Sequence, residues 1–274
     1  MKSRVIVGRM LLVGLMCRAG VPVVAQSVPD AAHTSTAIAE SSHTTGPADG
    51  KAAVSAPSIG SLFGDLRHDV RRLPTRTNGI WLGAAGALAL AVHSRDATLT
   101  RKAVASDGLD TLVEGGSFVG GGLVQAGAAF GTYALGRLTK HPNLAIVGAD
   151  MVRGQILNTV LTQGTKIAVD RRRPDGSRFS FPSGHSSATF TTATVLQRHF
   201  GSKAGVPAYV MATYVAASRL HDNKHYLSDV IFGAGIGIVS GRAVTVGRGA
   251  NTFAFGPLLT PRGVGVALTR MERH

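Results

Sequence analysis

The sequence of 274 residues predicts an all-α fold, a bundle of helices followed by a short C-terminal β-hairpin. Two observations favour helices. Long apolar segments rich in Gly and Ala show no strand-like alternation, and aromatic residues make up only 5% of a chain with 35 glycines. Small residues of this kind suit helices that pack closely. The segments are residues 79–92, 115–136, 144–161, 206–217 and 229–246.

The first element of the chain is a predicted export signal over residues 1–25. Three basic residues among the first nine precede an apolar run, 10–17, and small residues follow it. A membrane anchor is the alternative, but a span of sufficient length would include Arg18. Cys17, the only cysteine, would leave with the signal, so no disulfide is expected. We therefore expect an exported protein, in the periplasm or on the outer face of the cytoplasmic membrane.

Residues 26–58 form the second element, a predicted disordered linker, because they are rich in Ser, Thr, Ala and Pro and lack a hydrophobic period. One ordered domain is expected over residues 59–247. Its first helix begins near Ile59, where apolar residues recur at helical spacing until Pro74 stops the helix. We expect this helix to pack on the core, with a position on an anionic membrane surface as the alternative.

The C-terminal extension, residues 248–274, has a different pattern. Residues 252–268 show short alternation around a Pro/Gly turn, which predicts a β-hairpin. We assign no chemistry to this extension.

The charge of the chain indicates an anionic partner. The formal net charge is +14, and 25 basic against 15 acidic residues would leave +10 without the predicted signal. The sequence lacks the interleaved aromatic and basic residues and the zinc-finger spacing of nucleic-acid-binding proteins, so phosphorylated substrates or an acidic membrane surface are favoured. Only residues 115–136 are free of charge over a length that could span a bilayer. A soluble or peripherally attached bundle is therefore favoured over an integral membrane protein.

Two blocks of sequence supply donors for the oxygens of a phosphoryl group. Lys166 and Arg173 carry positive charge near the end of a predicted helix. Residues 182–185 (PSGH) close a loop and open another helix, whose free N–H groups and positive dipole end favour an anion. Each block also has an ordinary explanation. Cations commonly lie at the carboxyl end of a helix, and Ser and Gly commonly cap its amino end.

A third block supplies a histidine and a carboxylate. His225 and Asp229 are four residues apart, so in a helix they would share a face. The carboxylate could hold one imidazole nitrogen and leave the other free as a nucleophile. Arg219, near the end of the preceding helix, would direct a guanidinium at the same anion. A surface His–Asp pair is the alternative for this block alone, but eleven fixed positions in order across three blocks favour one phosphate site.

The pattern K-x6-RP, PSGH and SR-x5-H-x3-D resembles the signature of the type 2 phosphatidic acid phosphatase (PAP2) superfamily, shared with bacterial non-specific acid phosphatases and vanadium haloperoxidases. Every signature position is met between Lys166 and Asp229. The resemblance implies a helical bundle in which His225 is the nucleophile, Asp229 orients it and His185 is the general acid. It also implies a set of phosphate-binding residues, namely Lys166, Arg173, Ser183, the Gly184 amide and Arg219.

The sequence thus predicts a metal-independent phosphatase of the cell envelope that acts on phosphomonoesters or on lipid phosphates and diphosphates, with no cofactor. Peripheral or integral membrane association is compatible with it, and the oligomeric state is open. The alternatives are a vanadate-dependent haloperoxidase and a non-catalytic envelope protein that binds anionic lipid. Five polar residues near the blocks are expected to be solvated loop residues, with a role in substrate preference as the alternative, namely Arg171, Arg172, His221, Asp222 and Lys224.

Overall fold

The structure is a computed structural model that describes residues 55–105, 110–245, 251–260 and 263–272. The predicted signal, 1–25, and almost all of the predicted linker lie outside the described residues. Those two predictions therefore stay predictions.

The described part of the chain is predominantly helical, which confirms the predicted all-α class. The helices are α1 (Ile59–Arg71), α2 (Arg76–His93), α3 (Asp96–Val104), α4 (Asp110–Val119), α5 (Gly122–Leu138), α6 (Pro142–Val169), α7 (Gly184–Phe200), α8 (Ser202–His221) and α9 (Leu227–Val244).

Helix α1 begins where the sequence predicts. Ser58 caps it, because its Oγ accepts a hydrogen bond from the Ser61 N–H at 3.1 Å. Leu62 on the inner face is buried, whereas Phe63 on the outer face is 64% exposed. Arg153 of α6 also forms an ion pair with α1, because its Nη1 lies 3.0 Å from Oδ2 of the buried Asp69.

The charge-free segment 115–136 is not one helix. Helix α4 ends at Val119 and α5 begins at Gly122. The break falls at Gly120 and Gly121, and Gly120 lies against the His185 ring so closely that a Cβ there would stand 3.0 Å from Cδ2. The one segment whose charge-free length could span a bilayer is therefore divided between two helices.

Two other helices, α6 and α9, have the length and apolar composition to cross a bilayer. Most of each apolar window, 61% in α6 and 67% in α9, is buried inside the protein, as in a core helix of a soluble protein.

Glycines let the central helices approach one another closely. Gly148 of α6 packs on the backbone of Tyr133 in α5, and Gly233 of α9 packs on the carbonyl oxygen of Ser183. The main cluster of buried apolar side chains comes largely from α6, α7 and α9. Its buried members are Ala129, Val147, Met151, Leu157, Val195, Ala243 and Val244.

Two strands, β1 (Asn251–Thr260) and β2 (Gly263–Glu272), pair antiparallel, with Asn251 opposite Glu272 and Thr260 opposite Gly263. Their side chains lie outside the description. The fold class therefore rests on the helices alone. The C-terminal β-hairpin stays a prediction.

Candidate active site

Four helix ends carry the three sequence blocks. Lys166 lies in the last turn of α6, Ser183 caps α7, Arg219 lies in the last turn of α8, and Asp229 lies in the first turn of α9. Backbone hydrogen bonds join these ends. The Ser183 N–H donates to the Asp229 carbonyl at 3.0 Å, and the His225 N–H donates to the Arg219 carbonyl at 3.2 Å. The residues that the sequence pattern selects are thus brought together.

His225 is not in a helix, contrary to the helical spacing invoked from the sequence. Helix α9 begins at Leu227, and the Tyr226 N–H donates to Oδ2 of Asp229 at 2.8 Å. Asp229 therefore closes the first turn of α9, and His225 precedes that turn. The two side chains still meet, with Nδ1 of His225 3.6 Å from Oδ2 of Asp229.

Asp229 is fully buried and held from several directions. Its Oδ1 accepts from Nη1 of Arg171 at 2.7 Å, and its Oδ2 accepts from the Ser180 hydroxyl as well as from the Tyr226 N–H. Burial alone would raise the pKa of Asp229, but its polar neighbours His225 and Ser180, the Tyr226 N–H and the charge of Arg171 lower it overall. The carboxylate is therefore ionised at neutral pH.

His225 is buried, and burial is the first cause that lowers its pKa. The charges of Lys166 and Arg173 lower this pKa further, while Asp229 opposes them. Among the described residues, Nδ1 of His225 has no hydrogen-bond partner within normal distance. The ring is consequently neutral at neutral pH, the state in which an imidazole nitrogen can attack phosphorus.

Three cations lie in this region: the charges of Lys166 and Arg173 act on His225, and the charge of Arg219 acts on His185. Lys166 is buried and donates from Nζ to the Phe179 carbonyl at 2.6 Å. Burial, followed by the charge of Arg173, lowers the pKa of Lys166 to about 8. Nη1 of Arg219 donates to Oδ2 of Asp222 at 2.7 Å. The Nε atoms of Arg173 and Arg219 are buried with no partner among the described residues, and a bound oxyanion would satisfy such donors.

The amino end of α7 faces the same region. Ser183 is fully buried, and its Oγ accepts from the Ser186 N–H at 3.4 Å. Gly184 is the first helical residue, so the N–H groups of the first turn lie at the positive end of the helix dipole. His185 follows it and is half-buried. Burial, then the charges of Arg219 and His225, lower the pKa of His185 to about 4.

Arg171 is a residue of the site that the sequence interpretation missed, and the expectation of a solvated loop residue is wrong for it. Besides Asp229, its guanidinium donates to Ser228 Oγ at 2.7 Å and to Oδ2 of Asp96 at 2.9 Å. It also stacks on the Tyr226 ring at 4.1 Å. No sequence spacing relates Asp96 to this block, so only its place beside Arg173 could have drawn attention to Arg171.

The other four polar residues near the blocks lie in different surroundings. Asp222 is also part of the site, because it pairs with Arg219 and accepts from the Ser117 hydroxyl. Lys224 pairs with Asp175 at 2.9 Å near the surface. Arg172 is exposed, as expected, and His221 is half-buried. Among the described residues, no group of three or more His, Cys, Asp or Glu side chains has an arrangement suited to a metal ion.

Residues 152–253 match the sequence model of the PAP2 superfamily, and this segment contains all three blocks. This match confirms the resemblance drawn from the motifs.

Two relatives of known name match parts of the chain. A lipid A 1-phosphatase of Porphyromonas gingivalis is 36% identical over 92 residues, which are 32% of this chain and 21% of that protein. A candidate phosphatidate phosphatase of Drosophila melanogaster is 33% identical over 132 residues, which are 41% of this chain and 35% of that protein. The match thus spans about a fifth and about a third of the length of these relatives.

Two crystal structures are also similar. LpxE of Aquifex aeolicus has a TM-score of 0.46 at 23% identity, over 54% of this chain and 92% of that chain. A transmembrane PAP2-type phosphatidylglycerolphosphate phosphatase of Bacillus subtilis has a TM-score of 0.42 at 22% identity, over 68% of this chain and 94% of that chain.

Proposed function

We propose that the chain is a metal-independent phosphatase that hydrolyses lipid phosphates through a phosphohistidine on His225. One observation carries this proposal: the buried imidazole of His225 lies 3.6 Å from the buried carboxylate of Asp229, and the charges of Lys166 and Arg173 act on it. Lys166, Arg173 and Arg219 supply the positive charge that a metal ion provides in other phosphatases. Binding an anion would need only these cations, whereas the coupled His225 and Asp229 suit a nucleophile.

In the first step, the ring nitrogen of His225 that faces away from Asp229 attacks phosphorus, and the bond from phosphorus to the ester oxygen breaks. Protonated His185 gives its proton to that oxygen, so the alcohol leaves neutral. His185 is neutral in the free site because its pKa is about 4, so the charge of a bound phosphate must favour its protonation. The three cations stabilise the phosphoryl oxygens during transfer.

In the second step, water attacks phosphorus and the bond to His225 breaks. His185 accepts a proton from the water, which restores its protonated state, and inorganic phosphate leaves. His225 returns to the neutral ring. Asp229 holds that ring in one orientation in both steps because its own position is set by Arg171, Ser180 and Tyr226.

Three observations support a lipid substrate. The two named relatives act, by their names, on lipid A and on phosphatidate. The chain is strongly basic, which favours an anionic interface. Leu90, Leu123 and Leu138 are exposed by 78%, 91% and 82%, so helices α2 and α5 present apolar side chains outward. We propose association with the outer face of the cytoplasmic membrane, with the predicted export signal as the reason for that side.

The test is hydrolysis of p-nitrophenyl phosphate and of detergent-dispersed phosphatidate by the wild type and by His225→Ala. The substitution should lower kcat by about a thousandfold or more on both substrates, the scale of losing a nucleophile. His68→Ala, an exposed histidine of α1, is the matched control and should retain activity. Activity should persist in EDTA. Turnover that survives His225→Ala, or that is lost in EDTA and restored by Mg²⁺, would contradict the proposal.

A further inference from the structure

An apolar cavity of about 350 Å³ lies between α2 and α9, beside the phosphate site. Gly86, Ala89 and Leu90 of α2 form one wall. Phe181 and Phe232 form the other, and their rings stack with centroids 4.9 Å apart. Leu90 is 78% exposed, so this wall reaches the protein surface.

The inner end of the cavity is made of residues that also hold the catalytic carboxylate. Arg171 and Ser228 line the cavity, and Arg171 donates to both Ser228 and Asp229. Phe181 lies two residues before Ser183, in the loop that leads into α7. The cavity and the phosphate site therefore share a wall.

The lining favours a hydrocarbon chain over a polar ligand. The polar groups of the lining already have partners, because Arg171 is bonded to Asp96 and Asp229, and Ser228 donates to Asp96. His93, which also lines the cavity, has Nδ1 3.4 Å from Oδ2 of Asp96. A polar ligand would displace these bonds, whereas a hydrocarbon would need only the apolar walls. The volume lies at the lower end of the range of small-molecule pockets.

We propose that this cavity binds an acyl chain of the lipid phosphate whose phosphate group lies at His225. The inference rests on the proposed function and adds the part of the site that recognises the lipid. Each methylene that leaves water for the cavity favours binding, so substrates with long chains should gain over substrates with short chains.

The experiment fills the cavity from α2. A Cβ at Gly86 would lie 3.6 Å from the Phe232 ring, an ordinary contact, so a leucine there would project into the cavity. Gly83→Leu is the matched control, because a Cβ at that position of the same helix meets nothing within 4 Å. Both variants are assayed on dioleoyl phosphatidate, dibutyryl phosphatidate and p-nitrophenyl phosphate in one detergent.

Gly86→Leu should lower kcat/KM for dioleoyl phosphatidate by about tenfold or more, the effect of losing contact with a few methylenes, and should leave the other two substrates unchanged. Gly83→Leu should behave as the wild type on all three. An equal loss on all three substrates, or no loss on dioleoyl phosphatidate, would overturn the inference.

A second pair of variants guards against misfolding of Gly86→Leu. Leu90→Asp puts a charge on the exposed end of the wall, and Leu88→Asp puts one on an exposed position of the same helix outside the cavity. Only Leu90→Asp should show the chain-length-dependent loss. If these variants do not differ while His225→Ala abolishes turnover, the acyl site fails alone. If His225→Ala retains turnover, the proposed function fails instead.

Discussion

Arg171 shows how a single side chain can set the geometry of this site without touching the phosphate. It spans from Asp96 at the start of α3 to Asp229 in α9, with both carboxylates within 2.9 Å. Its charge also lowers the pKa of Asp229. We therefore expect it to be a positioning residue for the Asp229–His225 pair.

Arg171→Met should lower kcat by up to about a hundredfold, the cost of a small displacement of a catalytic group. It should also move the acid limb of kcat/KM to higher pH. The direction of this shift follows from the contact between Arg171 and Asp229. Losing the cation raises the pKa of Asp229, which then protonates at a higher pH. The pH profile from pH 3 to pH 8 measures both effects.

Arg172→Met is the control, since Arg172 is exposed and adjacent. It should keep the wild-type rate and profile. A fall in kcat for Arg171→Met with an unmoved acid limb would indicate a purely structural role and contradict the assignment.

The lowered pKa of Lys166 leads to a second prediction about a single residue. Its pKa is lowered to about 8, so it is charged below that pH and neutral above it. Phosphate binding should weaken as the charge is lost, so KM for p-nitrophenyl phosphate should rise as the pH rises through about 8. Lys166→Arg should keep KM level up to about pH 10, because a guanidinium stays charged. A rise of KM at an unchanged pH in Lys166→Arg would assign the titration to another group.

At the scale of secondary-structure elements, the site depends on how closely α7 and α9 cross. Gly237 of α9 lies on the backbone of α7, and a Cβ there would overlap the Ser187 carbonyl and stand 2.9 Å from the Thr191 nitrogen. Backbone atoms cannot yield as the end of a side chain can. This contact therefore limits how far apart the two helices lie where they cross.

Gly237→Ala should lower the free energy of unfolding by about 1–3 kcal/mol, the usual cost of overpacking. Gly131→Ala in α5, where a Cβ meets nothing within 4 Å, should be neutral or stabilising by up to about 1 kcal/mol through helix propensity. Thermal unfolding followed by circular dichroism compares the two. Equal stability of the two variants would contradict the close crossing.

Helix identity could be predicted from the sequence, but several helix ends could not. Apolar periodicity and Pro74 placed α1, and the Ser-Gly start placed α7. The division of residues 115–136 into α4 and α5 falls at three consecutive glycines, 120–122, a helix-breaking pattern that the sequence interpretation did not use. Gly120 also packs against His185, sixty-five positions away along the chain, and that contact leaves no local pattern.

The residues of the candidate site were likewise only partly predictable from the sequence. Motif spacing selected Lys166, His185 and His225, because a family pattern encodes which residues converge. It did not select Arg171, whose partners on α3 and α9 become neighbours only through tertiary packing. The helical spacing that it used for His225 and Asp229 does not hold, because α9 begins after His225, where Asp229 closes the first turn.

At the scale of the whole molecule, the basic surface and the outward apolar side chains have one joint explanation in the proposed function. Net positive charge would bring the protein to an anionic lipid interface, and apolar side chains such as Leu123 would hold it there. The phosphate site and the adjoining apolar cavity would then recognise the two chemically different parts of one substrate.

The measurement that tests the central claim most directly is the identity of the phosphorylated residue during turnover. The enzyme is mixed with ³²P-labelled phosphatidate, quenched in alkali, in which phosphohistidine survives, and digested for peptide mapping. The proposed mechanism predicts label on His225 that is lost on acid treatment and absent from His225→Ala. Label on a serine or aspartate, or turnover by His225→Ala with no labelled intermediate, would contradict it.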